Sequence, residues 1–233
     1  MKLLFHLHTR HSYDSMVKPR QIISYALKNG IDALAITDHG NMKGSLEARH
    51  IVKKEGLPLD IIPGAEYFSD CGDIIGLFLS SEINEFNALR LIDKIHEQGG
   101  LAILPHPYYK HSLSKQLIEK TDLIEVFNPR CSQEQNKKAE ILAKKYHKPL
   151  ICGNDAHLQK ELALCYNTLQ DNLNTIDAFL ADKNFSSSYT SRASIVKSQM
   201  IKGVKTRKPG LVLKMVKSLI SIYFIQPLRA LFR

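Results

Sequence analysis

A chain of 233 residues, 44% hydrophobic and 24% charged, is long enough for one large domain, and a barrel of this length can be a single unit. Its net charge of +9 is uneven: residues 183–233 hold 11 Lys and Arg and no Asp or Glu, which leaves 21 basic and 23 acidic residues, a net of −2, for residues 1–182. No uncharged apolar run reaches the length of a spanning helix, and the N-terminus has one lysine, no long apolar core and no small-residue cleavage site, so neither a span nor a secretory signal is expected.

Short apolar runs rich in β-branched residues read as buried strands: KLLFHL (2–7), DALAIT (32–37), DIIPGAE (60–66), DIIGLFL (73–79), LAILP (101–105), LIEVF (123–127) and PLICG (149–153). Amphipathic helical patterns lie between several of them. PRQIISYALKNG has Pro19 near its start and Gly30 just past its end, the usual helix punctuation. GSLEARHIVKKEG, EFNALRLIDKIHEQGG and QEQNKKAEILAKKYHK follow in order. Seven strands with helices between most of them favour an α/β barrel over an open sheet. After about residue 160 the pattern loosens: LALCYNTLQ reads as one further strand, TIDAFLADKN as a short helix, and SSSYTSRAS as an exposed, flexible stretch. The final segment, GLVLKMVKSLISIYFIQPLRALF, is apolar but carries Lys214, Lys217 and Arg229, and Pro227 should kink or stop it. The expected division is a barrel over residues 1–182 and a basic helical extension over 183–233. Cys71, Cys131, Cys152 and Cys165 show no CxxC pairing and are expected as reduced thiols without a disulfide.

Position carries more information than abundance here. At the C-terminal ends of the expected strands stand His6 and His8, then Asp38 and His39, Glu66, His106, Asn128, and finally Asn154, Asp155 and His157. In barrels of parallel strands this rim is where catalytic groups gather. His6 and His8 point the same way from one strand, because side chains alternate with period two. Two buried imidazoles side by side are costly unless paired or bound to a metal. Five strand ends delivering His, Asp or Glu together therefore indicate a metal site.

The set HxH near the N-terminus, TDH after the second strand, then PGAE, PHP and GNDAH resembles the PHP (polymerase and histidinol phosphatase) superfamily over roughly residues 1–170. The resemblance implies a distorted (β/α)7 barrel with two or three divalent metals (Mn, Fe or Zn) that hydrolyses phosphate esters. By the same resemblance His6, His8, Glu66 and Asp155 would hold one metal. Glu66 would bridge to a second, completed by His106 and Asp73, where many members have histidine. Asp14, His39 and His157 would hold a third. Leu4 stands where the family often has an aspartate.

Hydrolysis needs an in-line nucleophile and charge neutralisation on the transferring group, and two metals sharing a carboxylate can supply a bridging hydroxide. Glu66, Asp155 and His157 are thus the expected catalytic residues. Arg10, Lys110 and Arg130 are candidates for phosphate contact. His50, His96 and His147 are read as solvent-facing helix residues, His11 and His111 as exposed loop residues with lining the pocket or facing substrate as the alternative, and Asp38 as orienting a neighbour or capping a helix rather than binding metal. The expected activity is a cytoplasmic phosphoesterase acting on a small phosphorylated compound. A nuclease for nucleic-acid ends, or a non-catalytic metal-binding scaffold, are the alternatives. Residues 202–233 set a basic run beside an apolar one, which suits an anionic membrane surface or a nucleic-acid backbone. Packing of the apolar face on the barrel or on a second copy is the competing reading.

Overall fold

The computed structural model describes residues 1–169, 176–181 and 183–225. The seven apolar runs form β1 (Lys2–Leu7), β2 (Ala33–Ile36), β3 (Asp60–Ser69), β4 (Gly72–Leu77), β5 (Leu101–Leu104), β6 (Leu123–Phe127) and β7 (Leu150–Cys152). The four helical patterns form α1 (Pro19–Lys28), α2 (Lys43–Glu55), α3 (Ala88–Glu97) and α5 (Gln133–Lys145), and a short α4 (Lys115–Lys120) precedes β6. Local chemistry explains the boundaries. Pro19 occupies the first turn of α1, and the side chains of Asn87 and Ser132 accept from backbone N–H groups at the starts of α3 and α5.

Strands β1, β2 and β3 run parallel, as do β5, β6 and β7. β4 is antiparallel to both β3 and β5, the main departure from a regular barrel. Only Asp70 and Cys71 separate β3 from β4, too few for a crossover, so the chain turns back as a hairpin. The reversal starts β4 near the rim where its parallel neighbours end, and Asp73 stands there. The chain just beyond β7 closes on the end of β1: Asn154 N–H donates to Phe5 O (2.9 Å), His8 N–H to Ala156 O (3.0 Å) and Ala156 N–H to His6 O (3.3 Å). Inside, Leu3, Phe5, Ala33, Ile75, Ile103 and Ile151 are fully buried in one cluster.

The later chain adds β8 (Cys165–Thr168), antiparallel to the start of β1, then α6 (Ile176–Leu180) and β9 (Asn184–Ser187), antiparallel to β8. The serine stretch is exposed over 186–189, as expected, but it is not an unstructured link: Ser186 and Ser187 pair with β8, and the Ser191 side chain caps the next helix. Cys152 and Cys165 form a disulfide between the end of β7 and the start of β8, against the expectation of reduced thiols. Neighbouring strands bring the two sulfurs together, which a spacing of 13 residues does not announce. Two helices, α7 (Arg192–Lys205) and α8 (Pro209–Ile220), complete the described chain, and Gly203 leaves room for Val212 at their contact. No described helix is long and apolar enough to cross a membrane. The expected stop at Pro227 lies outside the described residues.

Candidate metal centre

Glu66 stands at the middle of the site, buried on β3. Its Oε2 lies 3.5 Å from His6 Nε2, 3.4 Å from His8 Nε2 and 3.0 Å from His39 Nδ1, while its Oε1 lies 3.2 Å from His106 Nε2. Asp155 Oδ1 is 3.5 Å from His8 Nε2 and 3.3 Å from His157 Nδ1. Asp14 Oδ2 joins His39 (3.3 Å) to His157 (3.2 Å). Asp73 completes a group with Glu66 and His106 whose ligand atoms lie within 4.8 Å of one another. All nine residues expected to bind metal are therefore gathered in one place. His6 enters it through a backbone bend, with φ of +63° where the β1–β2 register shifts.

The donor set fits divalent metal ions. Among the described residues, His6 Nε2, His8 Nε2, Asp14 Oδ1 and Glu66 Oε2 are buried without a hydrogen-bond partner, a costly arrangement for an empty site. Ligand atoms about 2.0–2.2 Å from one ion stand about 3–3.5 Å apart, and most of the separations above fall in that range. Imidazole and carboxylate together suit Mn, Fe or Zn.

The electrostatics agree with this reading. Burial works to lower the pKa of His6, but Glu125, Glu66 and Asp155 outweigh it and hold that pKa well above the ordinary value. The same contest raises His39, beside Glu66 and Asp14, and His106, beside Glu66 and Glu125. Burial pushes Glu66 up, yet His39, His6 and His106 hold it well below the usual carboxylate range. Asp14 and Asp155 are lowered by their histidines in the same way. His8 differs: burial, with His157 and His39 alongside, lowers its pKa to about 3, leaving the neutral ring that coordination requires. Burial and the nearby Glu66 push Asp73 up to about 6.

Behind the inward-facing atoms stands a set of residues that sequence reading overlooked. Glu125, fully enclosed in β6, places Oε1 2.7 Å from His6 Nδ1 and accepts from His106 N–H (2.8 Å) and Asn128 Nδ2 (2.9 Å) at Oε2. A carboxylate on the far nitrogen of a ligating histidine sets its tautomer and raises its basicity. The available signal was one glutamate inside the apolar run LIEVF. Asp38 accepts from Thr9 N–H, Thr9 Oγ1 and Ser12 Oγ, and Ser12 Oγ in turn accepts from His39 N–H (3.0 Å) and contacts His8 Nδ1 (3.2 Å). This matches the orienting role expected of Asp38.

The centre opens into a cavity of about 500 Å³. Arg130 lines it, 12% exposed, with Nη2 donating to Ser198 (2.6 Å) and Nη1 buried without a hydrogen-bond partner among the described residues. Lys110 lies at the edge. Arg10, in contrast, points away and pairs with Glu47 at 3.0 Å, so it is not among the cavity-lining residues. Helix α7 contributes Ile195, Gln199 and Lys202 to the wall. Lys202 Nζ lies 4.4 Å above the Tyr13 ring, which stacks at 4.4 Å on His39. Of the residues set aside, His111 bonds to the carbonyls of Asp73 and Tyr109, and His96 pairs with Asp122.

The family profile of the PHP domain matches residues 5–189. The chain is similar to the uncharacterized protein MJ1587 of Methanocaldococcus jannaschii, 38% identical over 142 residues that cover 55% of this chain and 82% of that protein. Protein MJ0417 of the same organism, also uncharacterized, is 32% identical over 178 residues, 71% of this chain and 69% of the relative. Among solved structures, a two-domain Bacteroides vulgatus protein described as containing a predicted PHP-like metal-dependent phosphoesterase superposes with a TM-score of 0.65 at 17% identity, covering 85% of this chain and 68% of that one. PsfC of Pseudomonas syringae gives a TM-score of 0.61 at 16% identity, covering 87% and 98%. At these identities the structural likeness shows the fold.

Proposed function

The chain belongs to the PHP domain family, and from that premise we propose that it is a metal-dependent phosphoesterase acting on a small phosphorylated compound. The reading rests on one observation: buried nitrogen and oxygen atoms of His6, His8, Asp14 and Glu66 that lack hydrogen-bond partners converge beside a cavity that Arg130 also lines. His6, His8, Glu66 and Asp155 would hold one ion, Glu66, His106 and Asp73 a second, and Asp14, His39 and His157 a third. Two or three such ions would supply charge neutralisation on the phosphate and an acidified water at neutral pH.

The protein's own residues have separable tasks. Glu66 presents its two oxygens to different histidines, the arrangement a bridging carboxylate needs. Glu125 keeps His6 turned inward, and Asp155 together with Asp14 fixes the His157 ring. The Arg130 guanidinium, held by Ser198, Glu161 and Asp155, lines the cavity and would donate hydrogen bonds to phosphate oxygens. Lys202 and Lys110 add positive charge near the opening. Tyr13, Tyr109 and Phe68 give the cavity an aromatic edge, and α7 walls one side. A pocket of this volume suits a compact substrate better than a polymer running through it.

The test is turnover by the purified, Mn-reconstituted protein on phosphomonoesters, phosphodiesters and short oligonucleotides, with Glu66→Gln alongside. The expected result is turnover of small phosphate esters, reduced at least about a hundredfold by the substitution. Activity confined to oligonucleotides would overturn the substrate class. A metal-filled but inactive protein would make it a scaffold, and a fully active variant would remove Glu66 from the mechanism.

A further inference from the structure

Helix α8 is rich in Leu, Val, Met and Ile, yet none of its residues is buried. Leu213, Val216 and Ile220 are 58%, 38% and 47% exposed, and Tyr223, 51% exposed, continues their line. The spacing of three and four residues sets Leu213, Val216 and Ile220 on one face of α8, and Tyr223 follows in the π-helical turn over 221–225. A contiguous apolar face on the outside of a folded chain marks an interaction surface.

The surroundings of that face are cationic. A hollow of about 440 Å³ beside it is lined by Arg192, Lys214 and Lys217 together with Ser218 and Ser221. A second concavity combines Val204, Val212 and Val216 with Arg207 and Lys208. Beyond the described residues the sequence continues with Leu228, Leu231 and Phe232 between or beside Arg229 and Arg233. Residues 183–233 hold no Asp or Glu at all. Pairing this face with a second copy would set lysine against lysine, and like charges across an interface are strongly unfavourable. An anionic bilayer satisfies both requirements at once, because apolar side chains enter the acyl boundary while lysines and arginines reach the headgroup phosphates.

We infer that the exposed face of α8 docks on an anionic membrane surface, with Leu213, Val216, Ile220 and Tyr223 inserted and Arg192, Lys214 and Lys217 on the headgroups. The helix lies along the interface without crossing it. Since α7 both packs against α8 and walls the cavity, docking would hold the metal centre close to the membrane. The docking does not depend on what the centre hydrolyses.

Co-sedimentation of the full chain with vesicles tests this, comparing neutral phosphatidylcholine with a mixture containing about one-third phosphatidylglycerol. Binding should be at least about tenfold stronger to the anionic vesicles and should weaken with salt. The double variant Val216→Glu, Ile220→Glu should lose that binding while keeping its thermal midpoint. Lys214→Gln and Lys217→Gln should each weaken it about fivefold. The inference is overturned if the chain ignores anionic vesicles, or if the double glutamate variant binds them as the parent does. It also fails if that variant instead dissolves a dimer or lowers the thermal midpoint, since the face is then already covered by protein. Binding to oligonucleotides without binding to vesicles would assign the charge to nucleic acid and overturn it equally.

Discussion

Glu125 and Gly153 meet at a distance that leaves no room for another atom. A Cβ built on Gly153 would stand 1.6 Å from Glu125 Oε1, the oxygen that contacts His6. Gly153→Ala must therefore displace the carboxylate or the strand, and Glu125→Gln keeps the shape while removing the charge. Both are expected to weaken metal affinity by about ten- to a hundredfold, the usual consequence of losing a partner behind a ligand. Calorimetric titration of metal into the stripped variants measures this, and parental affinity in Glu125→Gln would show that His6 needs no such support. The two residues also mark a limit of sequence reading. His6, His8, Glu66, His106 and Asp155 are legible because strand ends in a barrel share a rim. Glu125 is not, because its partner is 119 positions away and nothing local in LIEVF distinguishes a ligand's support from an ordinary buried charge.

At the scale of elements, α7 matters most to the cavity. Ile195, Gln199 and Lys202 face the metal centre, and Lys205 Nζ donates to the carbonyls of Arg10, Ser12 and Ser15. Those carbonyls belong to the loop that delivers Asp14. Replacing Lys205 by Met should cost about 1–2 kcal/mol in urea unfolding, since a charged donor shared among carbonyls in a partly exposed place is lost. No change in the unfolding midpoint would mean that the loop holds itself. Lys202→Met should raise KM for a phosphorylated substrate severalfold while leaving kcat largely intact, because the lysine sits at the cavity wall over Tyr13 and is not one of the metal-binding residues. A fall in kcat with unchanged KM would contradict that placement. A basic, serine-rich stretch reads as a tail because composition says where charge is, not which surface it covers. The reversal of β4 was more accessible: the six residues between the expected strands at 60–66 and 73–79, two in the structure, are too few for a crossover, and the reversal explains how Asp73, at a strand's beginning, joins residues at strands' ends.

Across the whole molecule, the centre ties stability to pH and to metal. His6, His39 and His106 have folded-state pKa values above the ordinary one, about 6.5, so their contribution is complete below that pH and is lost as pH rises through the folded values. Glu66, Asp14 and Asp155 are depressed, so theirs is complete above about pH 4 and is lost as pH falls. His8 acts in the opposite sense to the other histidines, staying neutral to about 3 and subtracting stability below about pH 6.5. Asp73, raised to about 6, subtracts stability above about pH 4, but with one lowered imidazole it stands against three raised imidazoles and three depressed carboxylates, which leaves the metal-stripped protein most stable between about pH 4 and 6.5. Its thermal midpoint should fall from pH 6 to pH 9. Excess Mn should reverse that slope, because coordination requires deprotonated ligands and strengthens as protons leave. Equal slopes with and without metal would contradict the coupling.

The most direct measurement is isothermal titration of a divalent metal, Mn or Zn, into the stripped full-length chain, with Glu66→Gln in parallel. Two or more ions per chain should bind, with release of protons, and the variant should lose at least one of them. Binding of less than one ion per chain, or a titration unchanged by the loss of the Glu66 charge, would mean that the converging strand ends do not form a metal centre.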